Sequence, residues 1–337
     1  MTAGAPPRGR TGDHALLLPH FQLGPDGLLD VEGKVHRLAP RLEAALRLCD
    51  GTRTLEEVAR EARVPPRDLI REHEKGRLIL WRSAPGEGPA TSEGPPAHVI
   101  VSPHLDDAAL SLGASLLAGP ARSWLVLDVF SRGGWWRLDR WDGHLLQATR
   151  RQEEQTMARL SGARLLDCDL PEALLRGHDF NAVFSTDAGA EGPAGADREA
   201  AARIEAEVAG LAARWGGARW YLPLGAGDHR DHRICRDAAL RALRGREGRI
   251  AFYEDQPYAA NQGGQPDFGG AVPGLRLVPR LQEGTAEQMR WKLELLRVYW
   301  SQFTQHEIEQ IARYARRIGG TAPAERVWRP ASATPLP

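Results

Sequence analysis

Apolar and polar positions divide the chain into a short irregular stretch and a longer one in which two periods alternate. Residues 14–40, HALLLPHFQLGPDGLLDVEGKVHRLAP, hold short apolar runs broken by GPDG and EGK, a pattern that predicts strands and hairpins. Leu42, Ala45, Leu46 and Cys49 then repeat at helical spacing, and Gly51 stands where a helix would stop. TRTLEEVAREA restarts the helix, with Thr54 and Glu57 spaced as a capping box. PPRDLIREHEKG predicts a third short helix and RLILW a closing strand, so residues 14–82 read as a small winged-helix-like α+β domain. Residues 1–13 lack any such pattern and predict disorder. SAPGEGPATSEGPP, residues 83–96, is rich in Pro, Gly and Ser and predicts a linker.

From residue 97 onwards the pattern is strand, helix, strand. AHVIVS (97–102) and SWLVLDVF (123–130) are β-rich runs, and HLDDAALSLGASLLAG between them has helical spacing. That unit implies a parallel sheet. Helices are predicted over TRRQEEQTMARLSG, ending at Gly162, and over 198–217, with further strands at 219–224 and 249–254. The Gly-rich stretches 185–197 and 259–274 predict surface loops. Residues 97–337 therefore predict an α/β domain with a Rossmann-like, mostly parallel sheet and flanking helices.

Composition narrows the function classes. The 337 residues suggest about two domains. Lys and Arg together number 44, as do Asp and Glu, so no global charge points to nucleic acid or an anionic membrane. Arg67, Arg71 and Lys75 share a helix face, but Asp68, Glu72 and Glu74 are interleaved, a poor footprint for phosphates. Cys49, Cys168 and Cys235 form no CxxC pair, which favours a reducing compartment. The first 20 residues have no signal-peptide core and no stretch reaches membrane-spanning length. A cytoplasmic protein that binds neither nucleic acid nor membrane is expected.

Two polar clusters break the pattern. His104, Asp106 and Asp107 follow the first strand of the larger domain, where buried ionisable groups are costly unless paired. His229, Asp231 and His232 follow the 219–224 strand, and the two histidines share a helix face. Asp228 could cap that helix. Taken alone, an Asp pair reads as a helix N-terminus and an HxxH as a surface pair. Both clusters follow strands, so one sheet edge can bring them together. Two imidazoles and a carboxylate, with room left for water, suit zinc, and the same donors suit ferrous iron.

These motifs carry a resemblance. With HLDD and HRDH, and with FYEDQPY (252–258) and YWSQF (299–303), residues 97–330 resemble the PIG-L or LmbE-like family of metal-dependent N-deacetylases. The resemblance implies His104, Asp107 and His232 as metal ligands, Asp106 as general base, His229 as acid or electrostatic partner, and Asp231 as the group orienting a histidine. Leu105 replaces the family's proline and Ala108 its glutamate. Arg132, Trp135 (with Trp136 and Trp141), Tyr258, and Arg150 with Glu153 in an RxxE pair are candidate substrate-binding residues. A second RxxE pair, Arg151 and Glu154, leaves the register open, and an ordinary helix salt pair explains either. Cys235 reads as a packing residue.

Residues 15–82, above all CDGTRTLEEV, resemble the PqqD-like peptide-binding modules. The expected activity is removal of an N-acyl group, most simply acetyl, from an amino sugar, glycoconjugate or natural-product intermediate. The alternatives are a peptide-recruiting deacylase or amidase for a peptide-derived product, and a binding or scaffold protein with a non-catalytic body. The partner expected is a small N-acylated molecule, joined in the first alternative by a peptide. The oligomeric state is not legible.

Overall fold

The computed structural model describes residues 12–30, 34–82, 94–119, 123–134, 143–184, 194–262 and 266–331. Of the disorder expected at 1–13 and the linker expected at 83–96, residues 1–11 and 83–93 lie outside them. Asp13, by contrast, is buried, ion-paired with Arg290, and its carbonyl accepts Leu55 N at 2.8 Å.

The small domain runs β1 (His14–Leu17), β2 (Phe21–Gly24), β3 (Gly27–Asp30), β4 (Val35–His36), α1 (Pro40–Arg47), β5 (Asp50–Thr54), α2 (Leu55–Ala62), α3 (Pro66–Glu74) and β6 (Leu78–Trp81). One sheet has the order β5-β1-β6 and a second β2-β3-β4. The capping box at Thr54 forms as expected, with Thr54 Oγ1 accepting Glu57 N. The expected helix stop at Gly51 is instead a residue of β5, with φ of 87°, because the chain between α1 and α2 pairs with β1.

The larger domain runs β7 (His98–Ser102), α4 (Asp107–Ala118), β8 (Trp124–Asp128), α5 (Gly143–Ser161), β9 (Arg164–Asp167), α6 (Phe180–Val183), α7 (Ala194–Arg214), β10 (Arg219–Pro223), α8 (Arg230–Ala242), β11 (Ile250–Tyr253), α9 (Tyr258–Asn261), β12 (Leu277–Glu283), α10 (Ala286–Leu296), α11 (Gln305–Gly319) and β13 (Ala324–Pro330). The expected loops are partly helical: α7 begins at Ala194, and α9 takes 258–261. The seven-stranded sheet has the order β12-β13-β11-β10-β7-β8-β9. β11, β10, β7, β8 and β9 are parallel, and β13 and β12 add an antiparallel edge.

Helices cover both faces of the parallel strands, which is why those strands are apolar at nearly every position. Val99, Val101, Leu125, Leu127, Trp220 and Leu222 face the core shared with α7 and α8. Ile100, Val126, Tyr221 and Ala251 face the opposite core, with residues of α4, α10 and α11. The chain leaves β7 for β8 on one side and returns at β10 on the other. The carboxyl ends of β7 and β10 therefore flank the crevice where ligands bind in open α/β sheets.

Two features hold α4, whose first turn enters that crevice. Leu112 breaks the helix, with φ −125° and ψ 19°. The amides of Ala114 and Ser115 then lose helical partners, and the buried Glu325 carboxylate accepts both at 2.8 and 2.9 Å. Lys292 of α10 meets the same carboxylate at 2.6 Å, with both side chains buried.

The second feature is the small domain. β1 and β6 use both faces. Ala15, Leu78 and Leu80 pack under α1–α3, whereas Leu16, Leu18, Ile79 and Trp81 join the core containing α4 and α10. Trp81 meets Trp291 at 5.4 Å between ring centroids, and His73 Nε2 meets Glu294 Oε1 at 3.0 Å. The two domains thus share a core. We expect Trp81→Ala to lower stability by about 3–5 kcal/mol. Denaturant unfolding should show one transition moved as a whole, and loss of the small domain alone in a separate early step would contradict the shared core.

Candidate metal centre and active site

The turn after β7 is built by its own polar groups. Ser102 Oγ donates to His104 O at 2.7 Å and accepts Ala108 N at 3.2 Å. Asp107 Oδ2 accepts His104 N at 2.8 Å. Leu105, in the family's proline position, is buried in this turn. Asp106 stands at the N-cap of α4 but makes no capping hydrogen bond. Its carboxylate, 6% exposed, lines a cavity of about 310 Å³. Asp106 and Asp107 do open α4, but both also line the cavity, so the helix start is not their whole role.

The second cluster sits on a glycine turn after β10. Gly225 and Gly227 have φ of 85° and 80°. A Cβ on Gly227 would lie 2.7 Å from Tyr258, so only glycine lets that ring close over the turn. The N-cap of α8 is His229, not the expected Asp228: His229 Nδ1 accepts Asp231 N at 3.2 Å.

The topology brings the two clusters together. The ring centroids of His104, His229 and His232 lie 4.8–5.2 Å apart. His104 Nε2 donates to Asp231 Oδ2 at 3.1 Å, which turns Nδ1 towards Asp107 Oδ2, 3.2 Å away. His232 Nδ1 donates to Asp255 Oδ1 at 2.6 Å, and its Nε2 lies 3.3 Å from the same Asp107 oxygen. That Nε2 is fully buried without a hydrogen-bond partner. Two imidazole lone pairs and one carboxylate oxygen thus converge, each imidazole backed by a carboxylate, the usual support of metal-ligating histidines.

His229 has a nitrogen within 4.8 Å of the other two histidines and could complete a three-histidine set. Its hydrogen bonding argues otherwise. Nδ1 accepts a backbone N–H, so the neutral ring carries its proton on Nε2 and donates there. Burial, then the nearby His232 and His104 charges, hold His229 well below the usual histidine range, so the ring is neutral. His104, Asp107 and His232 bring three donor atoms together and could hold a metal ion, as could the three histidines.

Without a metal the surrounding carboxylates favour protonated imidazoles at His104 and His232, and a bound cation would displace those protons. Burial would lower His104, but its bonds to Asp107 and Asp231 outweigh that and hold it well above the ordinary range. His232 is raised in the same way by the Asp107 and Asp255 charges. Burial would raise Asp107, but the His232 charge and the His104 bonds pull it below the usual range. Asp106 has no such partner: burial and then the Asp107 charge push it up to about 7.

Other candidates divide. Arg150 and Tyr258 line the cavity, and Arg150 Nη1 lies 3.5 Å from Glu172 Oε2. Glu153 does not: it is fully buried and its carboxylate accepts Ser301 N and Oγ at 2.9 and 2.6 Å, because α5 turns it towards the 299–303 segment. Glu154 accepts Tyr299 OH at 2.5 Å beside it. Arg132 is exposed and outside the cavity lining, its backbone bridged to Pro171. Trp135, Trp136 and Trp141 lie outside the described residues. Cys235 is buried, as expected of a packing residue.

Residues not anticipated complete the site. Asp255 backs His232, and its Oδ2 accepts Gly225 N and Ala226 N at 2.7 and 2.8 Å. Arg176 backs Asp231. Phe180, Val183 and Phe184 form an apolar wall, with Phe184 edge-on to His229 at 5.1 Å and 5.9 Å from Tyr258. The signal for Asp255 was its place just beyond a third parallel strand. Arg176 and the wall carry no local motif.

No protein-family model matches the chain. A 2'-N-acetylparomamine deacetylase of Streptomyces fradiae is 36% identical over 265 residues, which cover 70% of this chain and 90% of that protein. Two solved structures share the fold. The zinc-inhibited form of teicoplanin deacetylase has a TM-score of 0.56 at 21% identity, over 70% of this chain and 99% of the other. The A40926 pseudoaglycone deacetylase has a TM-score of 0.54 at 21% identity, over 72% of this chain and 100% of the other.

Asp255→Ala should remove the acceptor that orients His232 and lower zinc affinity about 10–100-fold. Competition with a chromophoric chelator measures it, and an affinity equal to that of the unmutated chain would count against the donor set.

Proposed function

The chain belongs to the LmbE/PIG-L-type family of deacetylases, and on that premise we propose that it is a metal-dependent N-deacetylase that frees the amine of an N-acetylated amino sugar in a natural-product intermediate. The observation that carries this reading is the convergence of His104 Nδ1 and His232 Nε2 on Asp107 Oδ2, at 3.2 and 3.3 Å, with Asp106 beside them. His104, Asp107 and His232 would hold the ion, zinc or ferrous iron. When bound, such an ion supplies Lewis acidity that activates a water and polarises an amide carbonyl.

The remaining chemistry falls to groups of the chain. Asp106, raised to about 7 and not engaged as a helix cap, takes the proton of the attacking water. The neutral His229 points its Nε2–H at the oxygen that turns negative as the carbonyl becomes tetrahedral. Asp106 then returns its proton to the departing nitrogen, and the products are a free amine and acetate. Asp231 and Asp255 keep the two histidine rings in their ligating orientation. Ala108, in place of the family's glutamate, is 1% exposed and packs in the apolar core behind the turn, so the position adds no polar group to the cavity.

The cavity mouth suits a substrate with a polar amide end and an apolar face. Phe180 and Phe184 are 55% and 38% exposed there, although side chains of that kind are normally covered. The flat face of a sugar ring or an aglycone would cover them. A peptide held by residues 15–82 is the second reading. The core shared by β1, β6, α4 and α10 instead favours the small domain as a buttress for the site.

The test is amine release from N-acetylated amino sugars by the full chain after loading with zinc. Asp106→Asn should lower kcat about 10²–10⁴-fold while leaving the metal content at one ion per chain. His232→Ala should lose both metal and activity. Asp106 must be ionised to act, so kcat/KM should fall with decreasing pH, along a limb at or below about 7, because a bound cation draws the carboxyl lower. An Asp106→Asn variant that kept full activity would remove the proposed base.

A further inference from the structure

Arg176 lies in a short 3-10 turn, Ala173–Arg176, with its side chain 2% exposed. A guanidinium so deep in the protein needs acceptors for all its faces. Its Nη2 donates to Asp231 Oδ1 at 2.6 Å, its Nε to Asp197 Oδ1 at 2.8 Å and its Nη1 to Pro171 O at 2.8 Å. The guanidinium carbon sits 4.6 Å above the Phe130 ring. Asp197 is itself held by His178 Nε2 at 3.0 Å and Arg230 Nη1 at 3.3 Å.

Asp231, fully buried, joins this network to the metal centre. Its Oδ1 takes Arg176, and its Oδ2 takes the amide of Ala173 at 2.9 Å and His104 Nε2 at 3.1 Å. Two of those three donors come from one turn of chain. That turn continues into the segment that supplies Phe180, Val183 and Phe184 to the cavity wall.

We infer that Arg176 is a positioning residue, which pins the Asp231 carboxylate in one orientation and through it aims the His104 ring at the metal. The inference rests on the deacetylase reading of the site. Without Arg176, the carboxylate keeps only donors on Oδ2 and is free to turn about its bond to Cβ. The acceptor direction for His104 Nε2–H is then no longer fixed, and Nδ1 need not face Asp107. The same arginine ties the substrate wall to the ligand shell.

The test compares the full-length chain with Arg176→Met and Arg176→Lys. Zinc affinity is read by chelator competition, and kcat and KM on an N-acetylated amino sugar are read separately. Arg176→Met should bind zinc about 10–100-fold more weakly. When saturated with zinc it should show a lower kcat with KM within threefold of the unmutated value. Arg176→Lys keeps a cation opposite Asp231 and should recover most of the affinity. Should Arg176→Met fail to fold, Asp197→Asn loosens the arginine from its far side and should weaken zinc binding several-fold.

Zinc affinity unchanged in Arg176→Met, or in Asp197→Asn where that variant stands in, would overturn the inference. So would a raised KM at unchanged kcat, which would mean that the arginine serves the wall alone. If the unmutated chain itself neither binds zinc nor releases amine, the functional reading fails instead, and the two failures are thereby told apart.

Discussion

Asp231 has no exposure to water, and a carboxylate in that position is tolerated only if charge and hydrogen bonds meet it on every side. Arg176, His104 and the Ala173 amide do so. Asp255 repeats the arrangement for His232, with two backbone amides where Asp231 has an arginine. Each carboxylate fixes which imidazole nitrogen carries a proton and so which lone pair is left free. Both free lone pairs face Asp107. The arrangement would be wasteful as a set of structural ion pairs, since one buried histidine nitrogen is left without any hydrogen bond. A bound cation would supply the missing partner.

The same logic separates Asp106 from Asp107, though they are neighbours in sequence. Asp107 receives the His104 amide and faces two imidazoles, which favours its ionised form. Asp106 receives no such donor, and burial together with Asp107 pushes its carboxyl up to about 7. Two adjacent carboxyls with opposed environments are what the proposed ligand and the proposed base would require of one short turn. The helix that follows could not hold them rigidly if α4 were free to slide. Its kink at Leu112 is locked by Glu325 and Lys292, and α10, which packs on α4, also packs on β6 of the small domain. A small domain buries a smaller share of its surface than a large one and is only marginally stable by itself. Sharing one face of its sheet with the larger domain stabilises it and stiffens the site.

What the sequence made legible were groups tied to a periodic element. HLDD and HRDH stand where apolar strands end and helices begin, so their positions in the sheet follow from the pattern. The α/β architecture and the capping box at Thr54 were readable for the same reason. Asp255 carries the same kind of signal, in FYEDQPY just beyond the 249–254 strand, but was not singled out; Arg176 acts alone and carries none. Arg176 is 55 residues from the carboxylate it serves and looks like any other arginine in an arginine-rich chain. Glu153 misled in the opposite sense. Its RxxE spacing suggested a substrate contact, but α5 turns it into the protein, where it holds the 299–303 segment by Ser301. Gln302 and Phe303 of that segment do line the cavity, so Glu153 reaches the site only through its neighbours.

The placement of His229 decides how the site treats its substrate. Had His229 been a third nitrogen ligand, its ring would be lost as a neutral donor to a developing oxyanion. The bond from the Asp231 amide to Nδ1 argues against that role, since a ring that accepts at one nitrogen and ligates through the other would have to be an imidazolate. His229 is left as a donor, pressed edge-on by Phe184 and flanked by Tyr258. In the proposed reaction the aromatic wall has two tasks. It offers an apolar face to the substrate, and it keeps water from the imidazole whose neutrality the chemistry needs. The segment bearing that wall also carries Arg176, so the surface that meets the substrate and the shell that aims a metal ligand are parts of one continuous turn of chain.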